Sequence, residues 1–399
     1  MHIKAKKTPR EYRYKPWHSV VLSGILSVIL LFVVYISDNY AFPFFSVTPY
    51  VTFIESLIQS PRHDVVSIDT TRIFINTGYE AAFVETRHGK EKITDRGALL
   101  RLLNDLEQRT DYREIFVDIR FEKGLVTTDD SSLVERLMAM PNTFVAKHWD
   151  YGNEQDFPLI DKRLLEKAGY ADYSASIFNT AFSRYEFIQH GGESAALKIY
   201  NDINQSTIKH HGWGIFSYYK DAGRLCNNAA FIRIPEDMSP GVLRYRNNHT
   251  FRYYNLGEDI YGTMTLDSSM QDRFFEDCKD KIIVIGDFVF DQHDTYYNKQ
   301  PGPYLNYLAY STLREGRHIV DWWLIAIAFA VYCLTFSWIL CRKRGSRIRS
   351  KILKVIINIL GYTTLLVVVS MILFFFTGKV LSIFIPSLFF SIIDTFLPE

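Results

Sequence analysis

Cysteine is scarce: four residues in 399. None sits in a C-x-x-C pair, so zinc-ribbon and dithiol redox chemistry lack their ligand spacing. Cys333 lies inside an apolar run and Cys341 at its edge. Cys226 and Cys278 are left to pair if their compartment oxidises. There is no G-x-S-x-G, H-E-x-x-H or P-loop string, so the reactions those strings announce have no support in the chain. No internal repeat and no low-complexity linker stands out, which argues against a solenoid. Net charge is also nearly absent, at +1. That figure carries no meaning until the chain is divided.

What the chain does have is long apolar runs and many aromatics, 15% of all residues. Rings gather where a chain meets a membrane interface. Val20–Ile36, Trp322–Leu340 and Val355–Thr377 are each long enough to cross a bilayer. A fourth run, Val380–Ile393, is shorter and is interrupted by Asp394. With "TFLP" added it also reads as a span, and "TGK" before it allows a tight helical hairpin. The first run has no small-x-small cleavage site after it, so it reads as an uncleaved anchor. Residues 1–17 hold six Lys and Arg, and residues 341–354 hold seven with no acid. The positive-inside rule puts both in the cytoplasm. The expected order is a basic tail (1–17), span 18–37, an outside domain (38–321), span 322–340, a basic loop (341–354), and spans 355–377 and 380–397.

The outside domain carries 31 Lys and Arg against 41 Asp and Glu, a net −10. A basic face for nucleic acid is therefore not expected. The basic segments are explained by topology and anionic lipid. The pattern within the domain alternates strand and helix. "DVVSIDT" (64–70), "EIFVDIRF" (114–121) and "NTFVAKHW" (142–149) read as strands. "ITDRGALLRLLNDLEQ" (93–108) repeats leucine at helical spacing, with Thr94 as its N-cap, and "DDSSLVERLMAM" (129–140) stops before Pro141. This predicts an α/β domain with a mostly parallel sheet and helices on both faces. In the middle, 191–203 reads as a helix and 228–234 as a strand. "SPGVLRYRNNHTFRYY" reads as irregular or hairpin-like.

"KDKIIVIGDFVFDQHDT" (279–295) begins as a core strand and ends in Asp287, Asp291, His293, Asp294 and Thr295. In open α/β sheets ligands bind beyond the carboxyl ends of the strands. Asp69, and Asp118 with Glu122, are expected at that same edge. Four readings stand open: loop capping, a small-ligand pocket, a calcium or magnesium site, or catalysis around zinc, whose further ligands the sequence does not supply. No metal and no cofactor can be named from these residues. His210 and His211 are adjacent, point apart and read as surface residues. Tyr304, Tyr307 and Tyr310 recur at helical spacing and are expected against the sheet. Pro301 or Pro303 starts that helix and Gly302 permits a close approach. Gly316 is expected to end it. Asp394 reads as a residue of the cytoplasmic interface.

"VSIDTT", "DRGALLRLLNDL", "IFVDIRFE…DDSSLVERL" and "CKDKIIVIGDFVFDQHDT…PGPYLNYLAYSTLREGRHI" occur in this order before a membrane helix. Together they resemble the second class of CHASE domain, an extracytoplasmic sensor module of bacterial receptors. The resemblance covers roughly residues 20–398. It implies one span before the domain and about three after it, a bacterial inner-membrane location, and the domain in the periplasm. The family places a kinase or cyclase after the last span; this sequence stops at Glu399, so the resemblance implies a sensor module alone. The expected function is non-enzymatic: a ligand or partner is bound outside and coupled to the spans. Only "GRHIVD" separates the last domain helix from the second span, so a membrane-protein partner or a second copy is expected to read the movement. A structural subunit of a membrane complex and a metal-dependent hydrolase are the alternatives.

Overall fold

The computed structural model describes residues 16–39, 71–86, 89–173, 184–205, 207–213, 217–232, 234–243, 252–262, 268–295, 298–341, 350–377 and 381–396. In chain order its main elements begin with α1 (Pro16–Asn39), β1 (Arg72–Asn76), β2 (Ala81–Thr86), β3 (Gly89–Thr94) and α2 (Arg96–Arg109). Then come β4 (Glu114–Asp118), α3 (Asp130–Ala139), β5 (Thr143–Lys147), β6 (Ala168–Tyr170), β7 (Arg184–Glu186) and α4 (Ala195–Asn204). β8 (Ala229–Phe231), β9 (Tyr253–Asn255), α5 (Ser268–Asp277), β10 (Ile282–Gly286), β11 (Gln292–Asp294), β12 (Lys299–Pro301) and α6 (Gly302–Arg314) follow. The last three are α7 (Trp322–Cys341), α8 (Lys351–Thr377) and α9 (Phe384–Phe396). The chain divides into two compact units, Glu55–His210 with Tyr219–His318, and the remainder, Met1–Ile54, His211–Tyr218 and Ile319–Glu399.

The first of these is an α/β unit built on a six-stranded sheet in the order β9-β1-β10-β4-β5-β6. Every neighbouring pair is parallel. Its central strands are buried along nearly their whole length, as the continuous apolar runs demand of a sheet covered on both faces. Side chains alternate between the faces. Ile73, Ile75, Ile115, Val117, Ile283 and Ile285 pack with Leu99, Leu102, Leu103 and Leu106 of α2, Leu133 and Leu137 of α3, and Phe274 of α5. Phe74 points the other way, into the rings of Tyr304 and Tyr307 on α6 (5.6 and 5.5 Å). α4 packs beside α6. Helices α2, α3 and α5 therefore cover one face, and α4 and α6 the other.

Several boundaries differ from the sequence expectation. The expected strand at 64–70 lies outside the described residues, and Arg72–Asn76 forms the strand beside β10. The cap of α2 is Asp95, whose carboxylate accepts from Ala98 N at 3.0 Å. Thr94 is unavailable because it pairs with Ala81 in the β2–β3 hairpin. Helix α4 begins only at Ala195, since Gly192–Glu193 pairs with Ile188–Gln189 in a short hairpin and Ser194 is its cap. Tyr253–Asn255, expected to be irregular, is an edge strand of the main sheet.

In the second unit, α1, α7 and α8 contain three stretches long and apolar enough to cross a membrane: Trp17–Ser37, Trp322–Cys341 and Lys351–Leu373. Ser19, Ser23 and Ser27 form a buried stripe on α1, and Ser337 of α7 donates to Ser23 Oγ at 2.9 Å. Small residues at this spacing let two apolar helices approach closely. α9 has 13 residues, about 20 Å of helix, against roughly 30 Å of bilayer core. It packs on α8. Ser391 Oγ donates to Val355 O (2.8 Å) and Tyr362 OH to Asp394 Oδ2 (3.0 Å). Asp394 is buried between these helices.

Candidate functional site at the carboxyl edge of the sheet

The strand register puts Asn76, Gly286 and Asp118 side by side at the carboxyl edge, with Asn255 beyond Asn76. The connection after β4 leaves to the face of α3. The connection after β10 leaves to the face of α6. Adjacent strands whose connections part in this way open a crevice between them. Asp118 ends the strand on one side of this switch point, and the segment after Gly286 begins on the other.

On the β1 side the edge is filled by its own hydrogen bonds. Asn76 Nδ2 donates to Asn255 Oδ1 (2.8 Å), and its Oδ1 accepts from Gly78 N and Phe288 N (both 3.0 Å). Asp287 Oδ1 accepts from Val289 N (2.9 Å) and Phe290 N (2.7 Å), a side-chain-closed turn. A Cβ on Gly78 would collide with that carboxylate. Thr295 exchanges hydrogen bonds with Asn298 to close the β11–β12 hairpin. Both residues cap loops, one of the four roles the sequence left open.

On the β4 side the arrangement is different. Asp291 and His293 belong to the stretch that enters and forms β11, and His293 Nε2 lies 3.0 Å from Asp291 Oδ1. Asp291 O accepts from Gly302 N at 3.0 Å. Its carboxylate lies where a Cβ on Gly302 would be, so any side chain at 302 would displace it. The first turn of α6 also sits directly on Gly286, where any side chain would meet Pro303. Asn306, 1% exposed, donates Nδ2 to Asp118 Oδ2 (2.8 Å) and to Tyr173 OH (2.9 Å). Tyr185 OH donates to Asn306 Oδ1 (2.7 Å), and Tyr173 OH to Gly302 O (2.6 Å). The rings of Tyr173 and His293 are 4.4 Å apart.

His148 follows β5 and completes the group. Its Nδ1 is 3.3 Å from Asp172 Oδ1, and Asp172 Oδ2 accepts from Trp149 N at 2.9 Å. Burial and the charge of Asp291 push Asp118 up to about 7, against the opposing pull of His148, Asn306 and His293. Burial disfavours the charged form of His148. The hydrogen bond it donates to Asp172 and the charge of Asp118 outweigh it, and the imidazole is raised above its ordinary value. Burial, then Asp118 and Asp291, hold the Tyr173 phenol far above its ordinary value, as a neutral donor. Glu122 is drawn aside into a two-pronged pair with Arg120 (3.1 and 2.7 Å), yet its charge still reaches His148.

Of the residues expected from sequence, the fold brings Asp118, Asp291 and His293 together, sets Glu122 at the margin, and uses Asp287 and Thr295 in turns. Asp69 lies outside the described residues. His148, Asp172, Tyr173, Tyr185 and Asn306 were not anticipated. His148 could have been, because it follows its strand as Asp118 does. Among the described residues no three His, Cys, Asp or Glu side chains are arranged to hold a metal ion. His210 and His211 turn to different neighbours, Tyr219 and Tyr218. Cys226 and Cys278 form no disulfide with each other. Cys278 lies in the core beneath α2 and α5, and the thiol of Cys226 is pushed up to about 12 by burial and Asp221.

Fold and site thus define an α/β unit with a polar cluster at a topological switch point, on a chain with helices fit for a membrane. No protein-family model, no curated protein and no solved structure matches the chain.

Proposed function

We propose that this is a membrane-anchored sensory or regulatory protein of the bacterial inner membrane, akin to the second class of CHASE domain. The α/β unit faces the periplasm and its crevice binds a small polar ligand without turning it over. α9 and its flanks serve as a fourth span, and a membrane-protein partner or a second copy reads the change through the spans. One observation carries the ligand reading. Where β10 and β4 part, Asp118, Asp291, His148, His293 and Tyr173 converge from separate elements, while neighbouring polar groups are consumed in turns. Imidazole, carboxyl, phenol and amide together can donate and accept hydrogen bonds to a ligand and fix its orientation.

The test is a thermal-shift screen of the purified full chain against small polar metabolites, with His148→Ala as the control. A ligand present at 100 times its Kd stabilises by about 2.7 kcal/mol. The expected outcome is a compound that raises Tm in the wild type and not in the variant. Equal shifts in both would reject this crevice as the site.

A further inference from the structure

The groups facing Asp118 come from every element packed around it. The continuation of β4 supplies Glu122, whose charge reaches His148 and which Arg120 pairs. The stretch after β10 supplies Asp291 and His293. The ends of β5 and β6 supply His148, Asp172 and Tyr173, and β7 supplies Tyr185. The only direct hydrogen-bond partner seen for Asp118 on α6 is Asn306, an amide that cannot change charge. Asp291 is seated against Gly302 in the first turn of the same helix. The positive end of α6, which would welcome an anion, already has that carboxylate beside it. An ionised Asp118 sets a second negative charge near the Asp291 carboxylate and a protonated one does not; the Asn306 amide pulls the other way and is outweighed by burial and Asp291.

We propose that the crevice is a proton-operated latch: loss of the proton from Asp118 loosens the first turn of α6. This rests on reading the crevice as the sensory site, and it names the proton as one of the signals that site takes. The direction follows from the surroundings. Burial and Asp291 favour the protonated carboxyl of Asp118, and the hydrogen bond to Asp172 favours protonated His148. Both groups hold protons in the folded state more tightly than in the unfolded chain. For Asp118 this stabilising contribution is complete below its ordinary value of 3.8 and is lost as pH rises to about 7. Tyr173 and Tyr185 bridge Asp118, Asn306 and Gly302, so the loss is passed to the backbone of α6.

Hydrogen exchange of the full chain in detergent, corrected for intrinsic rates, tests this between pH 4.5 and 8. Peptides covering 302–309 should lose protection by about tenfold per pH unit through the transition, the limit for one proton. Peptides covering α2 serve as the reference and should not follow. Asp118→Asn should keep 302–309 protected throughout. Should that variant fail to fold, Asp291→Asn, at a half-exposed position, removes the repelling charge and should move the transition to lower pH. A flat wild-type profile would overturn the latch and leave the ligand screen intact. An unchanged transition in Asp118→Asn, or in Asp291→Asn, would overturn it as well.

Discussion

A second carboxyl group departs from ordinary behaviour. Glu114 opens β4, is 3% exposed, and its Oε2 has no hydrogen-bond partner. Burial, then the charge and hydrogen bond of Asp202, push it up to about 8, against the opposing Arg113. Its unperturbed value is 4.5. Between these values the folded state holds more protons than the unfolded one, so stability falls as pH rises across that window. Glu114→Gln should therefore stabilise the protein at pH 8 by about 1–3 kcal/mol, the scale for relieving an unsatisfied buried polar group, and by little at pH 4.5. Denaturant titrations of both chains at several pH values would reveal it, and a difference independent of pH would reject it. Nothing near Glu114 in the sequence betrays its burial. Its neighbour Asp202 arrives from the end of α4, far along the chain.

Helices were more legible than strands because their signals are local. The leucines of α2 and the stop of α3 before Pro141 could be read directly. The end of α6 could be read as well. Gly316 has φ +67°, its N–H bonds Leu313 O (2.9 Å), and Arg317 N bonds Thr312 O (3.1 Å). That pair of bonds is a Schellman cap. Gly316→Ala forces a Cβ into the left-handed region and should cost about 1 kcal/mol, seen as a lowered urea midpoint. An unmoved midpoint would mean that the cap can rearrange. Strands β1, β6 and β9 were illegible for physical reasons. β1 begins with Arg72, a charged residue buried against Glu236 at 2.7 Å and the rings of Phe74 and Tyr307. β6 and β9 have three residues each, too few for any period. Missing β6 hid Asp172 and Tyr173. Asn306 was hidden differently, as one amide in the apolar run of α6. Asp118, Asp291 and His293 needed only the edge rule.

For the whole chain, the orientation of the spans is the expectation with the widest reach. With residues 341–354 in the cytoplasm, a single cysteine placed at Ser346 should resist membrane-impermeant reagents added from the periplasmic side, and one at Lys379 should react. The reverse pattern would invert the topology and put the crevice in the cytoplasm. The order of the sheet has a separate consequence, in the timing of synthesis. β10 lies between β1 and β4 and pairs with both, Arg72 with Ile282 and Ile282 with Glu114. β1 therefore leaves the ribosome roughly 200 residues before its partner exists, and closing so long a loop is slow. Until β10 arrives the first strands have a gap where the centre of the sheet belongs. On the proposed topology, the nascent unit must cross the membrane with that apolar seam open. A holding chaperone that covers unpaired strand edges until residue 286 has been made would serve this chain better than most.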